Sequence, residues 1–350
     1  MLCKEEVKKK QKVKCVVWDL DNTIWDGILL ENNEVVIHKD ILDIIKTLDS
    51  RGILQSIASK NDYDTAVSKL REFGIDEYFL YPQIGWNPKS ISIKQIAGSL
   101  NIGTDSLAFV DDQPFELDEV SFSAPEVLCI NVKDISAMLE MEEMNPRFIT
   151  EDSRIRRQMY MNDLKRKQCE EEFIGTQEAF LASLNMIFSI SPVKKGDLQR
   201  AEELTVRTHQ LNTTGYTYSF EELSNFMTSD KHKLFITGLE DKYGTYGKIG
   251  LTLLEIEEDR WTIKLLLMSC RVMSRGVGTV MLNYVMRLAE EAGVKLYAEY
   301  IPNDRNRMMY VTYKFAGFKE VHEQDGAALL ECDCSQIQPF PDYLKLKISK

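Results

Sequence analysis

The sequence has no apolar run long enough to span a membrane, and its first residues lack the pattern of a secretion signal. The segment from Met1 to Lys14 is rich in lysine and leads directly into an apolar stretch. It contains nothing that resembles the hydrophobic region of a signal peptide. We therefore expect no membrane partner and predict a cytoplasmic location.

Basic residues are fewer than acidic ones, and no two cysteines have C-x-x-C spacing. The chain has 43 basic and 55 acidic residues, a net charge of −12, which argues against general binding of nucleic acids. Its seven cysteines are an odd number and include no C-x-x-C pair. Such usage is typical of a reducing compartment rather than of a disulfide framework.

Apolar residues are plentiful, at 44% of 350 residues, which is enough to build two packed domains. A change of composition near residue 145 suggests where the first domain ends. We predict one domain over residues 1–145, a helical linker over 146–180 and a second domain over 181–350. The predicted fold class is α/β, with a parallel sheet in the first domain and an α+β arrangement in the second.

Two carboxylates lie at the end of the first predicted strand, Val16–Leu20, in the order D-x-D-x-T. Asp19 and Asp21 stand where a buried strand ends, so both side chains can converge on one pocket with Thr23 nearby. One carboxylate can attack phosphorus, provided that a cation offsets the repulsion between the two anions. Mg²⁺ suits oxygen ligands best. The alternative is a solvated turn.

Apolar runs then alternate with helical patterns up to about residue 140, as in a parallel sheet covered by helices. The pattern predicts helices at residues 40–51 and 62–73 and strands at 54–58 and 107–110. The last strand ends in Asp111 and Asp112, which could be exposed loop charges. We favour a metal site, because acids directly after an apolar run would otherwise lie unpaired near a buried sheet.

A charge-dense helix follows, with Thr150 as its predicted cap. Its basic residues could dock an acidic partner, but we favour a solvated helix face. The basic residues are Arg154, Arg156, Arg157, Lys165, Arg166 and Lys167.

The first half resembles the haloacid dehalogenase (HAD) superfamily of phosphotransferases. By this resemblance Asp19 is the nucleophile that becomes phospho-aspartate, and Asp21 is the acid/base that protonates the leaving oxygen. Ser59 would hydrogen-bond the phosphoryl group and Lys89 would add positive charge, although alone they could be a helix cap and a solvated lysine. The resemblance assigns magnesium to Asp19, Asp21, Asp111 and Asp112, and we also predict phosphate contacts from Thr23 and Lys60.

The second half resembles the GCN5-related acyltransferase (GNAT) fold at its end, through a hairpin over residues 248–268, a glycine turn at Gly276 and Gly278, and a final helix and strand. Glycines at such a turn let backbone N–H groups approach a phosphate. Met273 stands where the acyltransferase pattern usually has Gln or Arg. The turn follows Cys270, and a thiolate there could hold an acyl group as a thioester.

Arg271 and Arg275 lie beside this cysteine and are predicted to favour its thiolate and to contact the phosphates of the substrate. A buried, inert cysteine is the alternative, and spacing alone favours it.

A HAD-like half followed by a cysteine-bearing GNAT-like half resembles the FkbH-like family of polyketide pathways. The resemblance includes the runs 207–212, 241–244 and 267–272, which contain the further predicted catalytic residues His209, Asn212 and Asp241. Any of these three could instead be a structural hydrogen-bonding residue. His209 stands where the family usually has Asn, and Asp26 where Gly is usual.

This family takes a glyceryl unit from 1,3-bisphosphoglycerate and loads it onto the phosphopantetheine thiol of an acyl carrier protein. For this chain we hypothesise that Cys270 captures the acyl carbon while Asp19, with Mg²⁺, removes the other phosphate. Two alternatives remain: a phosphatase without acyl transfer, and a non-catalytic protein in which both folds serve as docking surfaces.

Overall fold

The computed structural model describes residues 12–31, 34–324, 326–334 and 337–349, so the lysine-rich segment up to residue 11 lies outside the described part. The chain divides into two compact units, residues 1–161 and 162–350. The division falls within one long helix, Arg156–Glu172. In the part of the chain described above, no helix combines the length and apolar character needed to cross a bilayer.

Unit 1 is built on a five-stranded sheet in which every pairing is parallel and the strand order is β5-β4-β1-β6-β7. A separate antiparallel pair is formed by the short strands β2 and β3. The strands are β1 Cys15–Trp18, β2 Trp25–Asp26, β3 Val36–Ile37, β4 Leu54–Ser59, β5 Gln83–Ile84, β6 Leu107–Asp111 and β7 Leu128–Asn131. The helices are α1 Lys39–Ser50, α2 Tyr63–Glu72, α3 Lys89–Leu100, α4 Pro114–Ser123, α5 Ile135–Met138 and α6 Glu151–Arg154, followed by α7 Arg156–Glu172.

The central strand β1 is buried on both faces of the sheet, as is typical of a parallel sheet covered by helices. All four of its residues are buried, and a strand buried on both faces shows a continuous apolar run rather than alternation. The chain passes from β1 outward to β4 and β5 and then returns to β6 on the other side of β1. The carboxyl ends of β1 and β6 therefore flank a switch in strand order, which is where open parallel sheets bind ligands.

Unit 2 contains an eight-stranded mixed sheet in the order β13-β14-β12-β11-β10-β9-β8-β15. Its strands are β8 Met186–Pro192, β9 His232–Asp241, β10 Gly244–Ile256, β11 Arg260–Met268, β12 Lys295–Tyr300, β13 Phe318–Gln324, β14 Ala327–Cys332 and β15 Leu344–Ile348. Its helices are α8 Gln177–Ser183, α9 Leu198–Arg207, α10 Phe220–Thr228, α11 Val277–Ala292 and α12 Arg307–Phe315. Two strand pairs are parallel, β11 with β12 and β15 with β8, and the other pairs are antiparallel.

The parallel strands β11 and β12 pair over only four residues each, 260–263 with 295–298. Beyond that point, β11 and the residue that follows β12 both bond to Thr213. The N–H of Leu266 donates to its hydroxyl at 3.0 Å, and the N–H of Ile301 donates to its carbonyl at 3.0 Å. Thr213 is fully buried, so its hydroxyl finds a backbone partner where the sheet opens.

The predicted α/β class is confirmed: a parallel-sheet unit is followed by a unit with a mixed sheet and helices. The helices and strands predicted for the first half are present with shifts of one or two residues. The helices α3 and α4 and the strands β7, β12, β14 and β15 are among those with no counterpart in the sequence prediction. The predicted cap at Thr150 is confirmed, because its hydroxyl accepts the N–H of Ser153 at 3.1 Å.

The interpretation of the charge-dense helix as a solvated face is wrong at two positions. Arg156 is 5% exposed and donates to the carbonyl of Gly52 at 2.7 Å. Arg166 is 0% exposed and bonds to a buried carboxylate of unit 2. Each guanidinium bonds to a group that is distant in sequence. The pattern of charges along the helix does not reveal such a partner.

Candidate functional site

Three carboxylates meet at the carboxyl ends of the neighbouring strands β1 and β6. Asp19 follows β1 directly, Asp111 ends β6, and Asp112 comes next. One ligand oxygen from each lies within 4.8 Å of those of the other two. Asp19 and Asp111 are almost fully buried, and Asp112 is partly buried. The structure thus brings together three of the four residues predicted to bind magnesium.

Lys89 provides the positive charge in this cluster. It is the first residue of α3, its side chain is 4% exposed, and its ammonium group donates to Asp19 Oδ1 and, at 2.7 Å, to the carbonyl of Ala58. The same nitrogen lies 3.3 Å from Asp111 Oδ2. A buried ammonium needs such partners, and here they orient it toward the two acids that close the strands.

The pKa values of these groups reflect burial and mutual repulsion. Burial raises the pKa of Asp19 against the opposing effect of Lys89. Burial, and then the charge of Asp19, raise the pKa of Asp111 to about 7. Burial disfavours the charge of Lys89, but the two carboxylates outweigh it and raise its pKa. One ammonium therefore does not compensate the acids fully, and a further cation would stabilise their charged forms.

Magnesium fits these residues. Among the described residues, Asp112 Oδ1 is a buried side-chain oxygen without a hydrogen-bond partner, and Asp111 Oδ2 has only its ion pair with Lys89 at 3.3 Å. Buried oxygens of this kind are costly unless a further partner satisfies them. Carboxylate oxygens are ligands that Mg²⁺ prefers. Asp19, Asp111 and Asp112 would hold the ion, because their oxygens are already grouped.

Asp21 lies apart from this group of ligands. Its Oδ1 accepts the indole N–H of Trp25 at 2.8 Å and the backbone N–H of Leu29 at 3.1 Å. Its Oδ2 accepts Asn61 Nδ2 at 3.1 Å. Asn61 is 1% exposed, and its own Oδ1 accepts the N–H of Asp62, which fixes the direction of the amide. These donors hold the Asp21 side chain in place. Oδ1 accepts two hydrogen bonds and Oδ2 accepts one, so Oδ2 is the oxygen with more room for a further partner.

Of the residues predicted to contact phosphate in unit 1, Ser59 bonds to the carboxylate cluster, whereas Lys60 pairs with an acid outside it. Ser59 ends β4, is buried, and hydrogen-bonds Asp19, which helps to lower the pKa of that acid. Thr23 is fully buried and its hydroxyl has no hydrogen-bond partner among the described residues. Lys60 instead pairs with the buried Glu116 at 2.6 Å.

In unit 2, Cys270 begins a 3₁₀ turn, Cys270–Arg275, that separates β11 from α11. The thiol is half-buried against the core and is not part of a disulfide. Gly276 then adopts a positive φ of 73°, and a Cβ at this position would lie 2.6 Å from Tyr343 Oη. The turn therefore requires glycine both for its backbone conformation and for the close tyrosine.

The two arginines beside this cysteine are bound to other groups. Arg271 donates to the carbonyl of Tyr246 at 2.7 Å, and its guanidinium lies 3.9 Å from Asp163. Arg275 is 6% exposed and pairs with Glu170 at 3.1 Å. Both charges are thus already compensated within unit 2.

Asp241 accepts a bidentate pair from Arg166, at 2.7 and 2.8 Å. Both side chains are fully buried, and the guanidinium also stacks 3.8 Å from the centre of the Tyr246 ring. Asp241 additionally accepts the N–H of Tyr243 at 2.8 Å and the hydroxyl of Tyr246 at 3.1 Å. These hydrogen bonds of the predicted catalytic acid all come from residues of unit 2, and a buried bidentate pair of this type stabilises a fold.

Asn212 is equally enclosed. It is 0% exposed, and its amide oxygen accepts the N–H groups of Thr214 and Gly215 at 3.1 and 2.9 Å. Its backbone carbonyl accepts the amide of Asn306, another fully buried residue. The structure places His209 in the same loop, half-buried and three residues before Asn212. The side-chain amides of Asn212 and Asn306 hold in place the segment around Thr213, which bonds to β11 and to the residue after β12.

The sequence prediction missed Asn61, Glu116 and Asn306. Asn61 follows a strand end by two residues, the same placement that identified the acids, so its position offered a signal. Glu116 had no local signal, because its partner Lys60 lies 56 residues away. Asn306 bonds to nearby groups, among them the carbonyl of Ile301 and the N–H of Asn303, and also to the carbonyl of Asn212, 94 residues away.

No protein-family model and no curated protein matches the chain. Among solved structures, it is similar to the N-terminal part of a Bacteroides fragilis protein that contains a phosphatase domain complexed with Mg, with 29% identity and a TM-score of 0.35. That match covers 39% of this chain and 40% of the other.

The chain is also similar to the ribosomal-protein-S18-alanine N-acetyltransferase of Escherichia coli, with 18% identity over 43% of this chain and 95% of that one, and a TM-score of 0.34. A GNAT family acetyltransferase from Elizabethkingia anophelis with acetyl-CoA bound shows 16% identity over 41% and 97% of the two chains, at a TM-score of 0.31. Because these TM-scores lie below 0.5, we base the functional proposal on the side chains of the chain itself.

Proposed function

We propose that the protein is an enzyme that releases phosphate at Asp19 and transfers an acyl group through Cys270. The donor is 1,3-bisphosphoglycerate, and the acceptor is the phosphopantetheine thiol of an acyl carrier protein. The observation that carries the phosphate half is the buried cluster of Asp19, Lys89 and Asp111 at the switch in strand order. The acyl half rests on the half-buried thiol of Cys270 at the end of β11.

In the phosphate half, the carboxylate of Asp19 attacks the phosphorus of the ester phosphate and becomes an aspartyl phosphate. Lys89 holds that carboxylate in place through Oδ1. Asp21 gives a proton to the departing oxygen of the glyceryl hydroxyl and then takes one from the water that hydrolyses the aspartyl phosphate. Bound Mg²⁺ supplies charge neutralisation for the phosphoryl group.

In the acyl half, the thiolate of Cys270 attacks the acyl carbon and displaces inorganic phosphate, which gives a thioester. If Asp19 attacked the acyl phosphate instead, it would release glycerate without retaining the activated acyl group. The thiol of the carrier protein then takes the glyceryl group from Cys270, which leaves as a thiolate.

A phosphatase without acyl transfer is the second candidate, and one observation favours it. Arg271 and Arg275, predicted to stabilise the Cys270 thiolate, have the acids Asp163 at 3.9 Å and Glu170 at 3.1 Å as partners. With an acid beside each guanidinium group, the thiolate gains less stabilisation from them.

The test is mass spectrometry of the protein after incubation with Mg²⁺ and 1,3-bisphosphoglycerate, for the wild type and for Cys270→Ala. The proposal expects a glyceryl-sized adduct on tryptic fragment 265–271, in which Cys270 is the single cysteine. An adduct that persists on the Cys270→Ala protein would exclude this cysteine as the carrier. Phosphate release with no adduct on the wild type would favour the phosphatase.

Asn61→Ala tests the role of Asp21. The substitution removes the donor that positions Oδ2 of Asp21, and we expect hydrolysis of an alkyl phosphate to fall about 10-fold or more. Hydrolysis of p-nitrophenyl phosphate should fall less than about threefold, because its leaving group departs without protonation. The measurement is kcat for both substrates.

The matched control is Asn145→Ala, since Asn145 is also an amide of unit 1 that donates to two backbone carbonyls at 2.9 Å. It should change both rates equally. An equal loss on both substrates in Asn61→Ala would mean that Asn61 does not act through proton transfer at Asp21.

A further inference from the structure

Two cysteines outside the proposed sites lie in direct contact. Cys332 is the last residue of β14, and Cys334 follows two residues later. Their Sγ atoms are hydrogen-bonded at 3.1 Å, and both side chains are half-buried against the core of unit 2. Both thiols are reduced, and neither has a part in the proposed phosphate or acyl chemistry.

The backbone explains this proximity. Within a straight strand, residues two apart are separated by about 7 Å along the strand axis. Cys332 still pairs with Phe318 of β13, whereas Cys334 lies beyond the end of β14. Asp333 between them is exposed and lies 3.9 Å from Lys319 through its carboxylate. The chain thus leaves the sheet between the two cysteines.

The two thiols differ in acidity. Their hydrogen bond lowers the pKa of Cys334, whose charged form accepts it. The same bond, followed by burial, raises the pKa of Cys332. In such a pair the more acidic thiol reacts first and its neighbour completes the reaction.

Two cysteines of unit 1, Cys15 and Cys129, have less reactive surroundings. Burial alone raises the pKa of the fully buried Cys15. Burial is also the largest of the effects that raise the pKa of Cys129. Thiols of this kind react slowly with oxidants because the thiolate is the reactive form.

We propose that Cys332 and Cys334 form an oxidation-sensitive dithiol, which a hydroperoxide converts reversibly into an intramolecular disulfide. The thiolate of Cys334 attacks the outer peroxide oxygen, which breaks the O–O bond and gives a sulfenic acid and water or an alcohol. Cys332 then attacks that sulfur, forms the S–S bond and releases water. The two sulfur atoms together lose two electrons and two protons, and the hydroperoxide is reduced.

The test treats the full-length wild-type protein with a small excess of hydrogen peroxide, alkylates the remaining thiols with N-ethylmaleimide, and maps tryptic fragments by mass. Fragment 320–345 contains both cysteines and no internal lysine or arginine. We expect this fragment unalkylated and lighter by two hydrogen atoms, with the fragment of Cys129 alkylated. Dithiothreitol should restore its two alkylation sites.

The single variants Cys332→Ser and Cys334→Ser should abolish the loss of two hydrogens, and Cys129→Ser should leave it unchanged. N-acetylcysteine in a parallel tube shows that the peroxide oxidises an ordinary thiol under the same conditions. A doubly alkylated fragment 320–345 under conditions that oxidise N-acetylcysteine would overturn the proposal. So would a gain of oxygen on that fragment without disulfide formation. Neither result depends on whether the proposed enzyme activity is correct.

Discussion

Asp19→Asn is expected to lower the rate of phosphate release by about 10³-fold or more, because the substitution removes the attacking carboxylate. The side chain keeps its size, and the fold should persist since Lys89 retains Asp111 and the carbonyl of Ala58 as partners. The measurement is phosphate released from a simple monoester in the presence of Mg²⁺, because in the proposed scheme Cys270 still displaces the acyl phosphate of 1,3-bisphosphoglycerate when Asp19 is changed.

Asp64→Asn is the matched control, because Asp64 is an exposed acid in the first turn of α2 of the same unit. It should leave the rate within about twofold of the wild type, as expected for a surface change far from a network. If Asp19→Asn still released phosphate at the rate of this control, Asp19 would not be the nucleophile.

Arg166→Leu is expected to destabilise unit 2 by about 3–5 kcal/mol, since it leaves the carboxylate of Asp241 buried with no cation. This corresponds to a fall of roughly 6–20 °C in the unfolding midpoint. Thermal unfolding followed by circular dichroism measures the loss, and hydrogen exchange in β9 and β10 would assign it to unit 2.

Arg260→Leu is the control, because Arg260 also pairs with a carboxylate, that of Glu257, but both groups are about half exposed. Such a surface pair contributes about 1 kcal/mol or less. Equal stability of the two leucine variants would show that the Arg166–Asp241 pair does not stabilise the fold. An Asp241→Asn protein with unchanged stability and no activity would favour the predicted catalytic role of Asp241.

The carboxylate cluster could be predicted from the sequence because its signal is local. Asp19 and Asp111 each follow or end an apolar strand, and parallel strands bring their carboxyl ends to one side of a sheet. The same rule does not tell which acid contacts which neighbour. The bonds of Asp21 to Trp25 and Asn61 depend on loop geometry, so its separation from the other acids emerged only in the structure.

Unit 2 was harder to predict because its important contacts are distant in sequence. Arg166 belongs to a run of charges that is typical of a solvated helix, but its buried partner lies 75 residues further on. Arg271 and Arg275 were expected to act on the neighbouring Cys270, and nothing in the sequence indicated their bonds to Tyr246 and Glu170. Proximity along the chain was a poor guide wherever a long side chain could reach another element.

The pairing of β15 with β8 affects how the protein behaves at high concentration. Without β15, the strand β8 would present unpaired backbone groups to other molecules, a common start of aggregation. β15 itself carries exposed Lys345 and Lys347, and β13 at the far side of the sheet carries exposed charges such as Lys319 and Glu323. An incoming strand would have to desolvate these charges, so both borders of the sheet oppose strand-by-strand association.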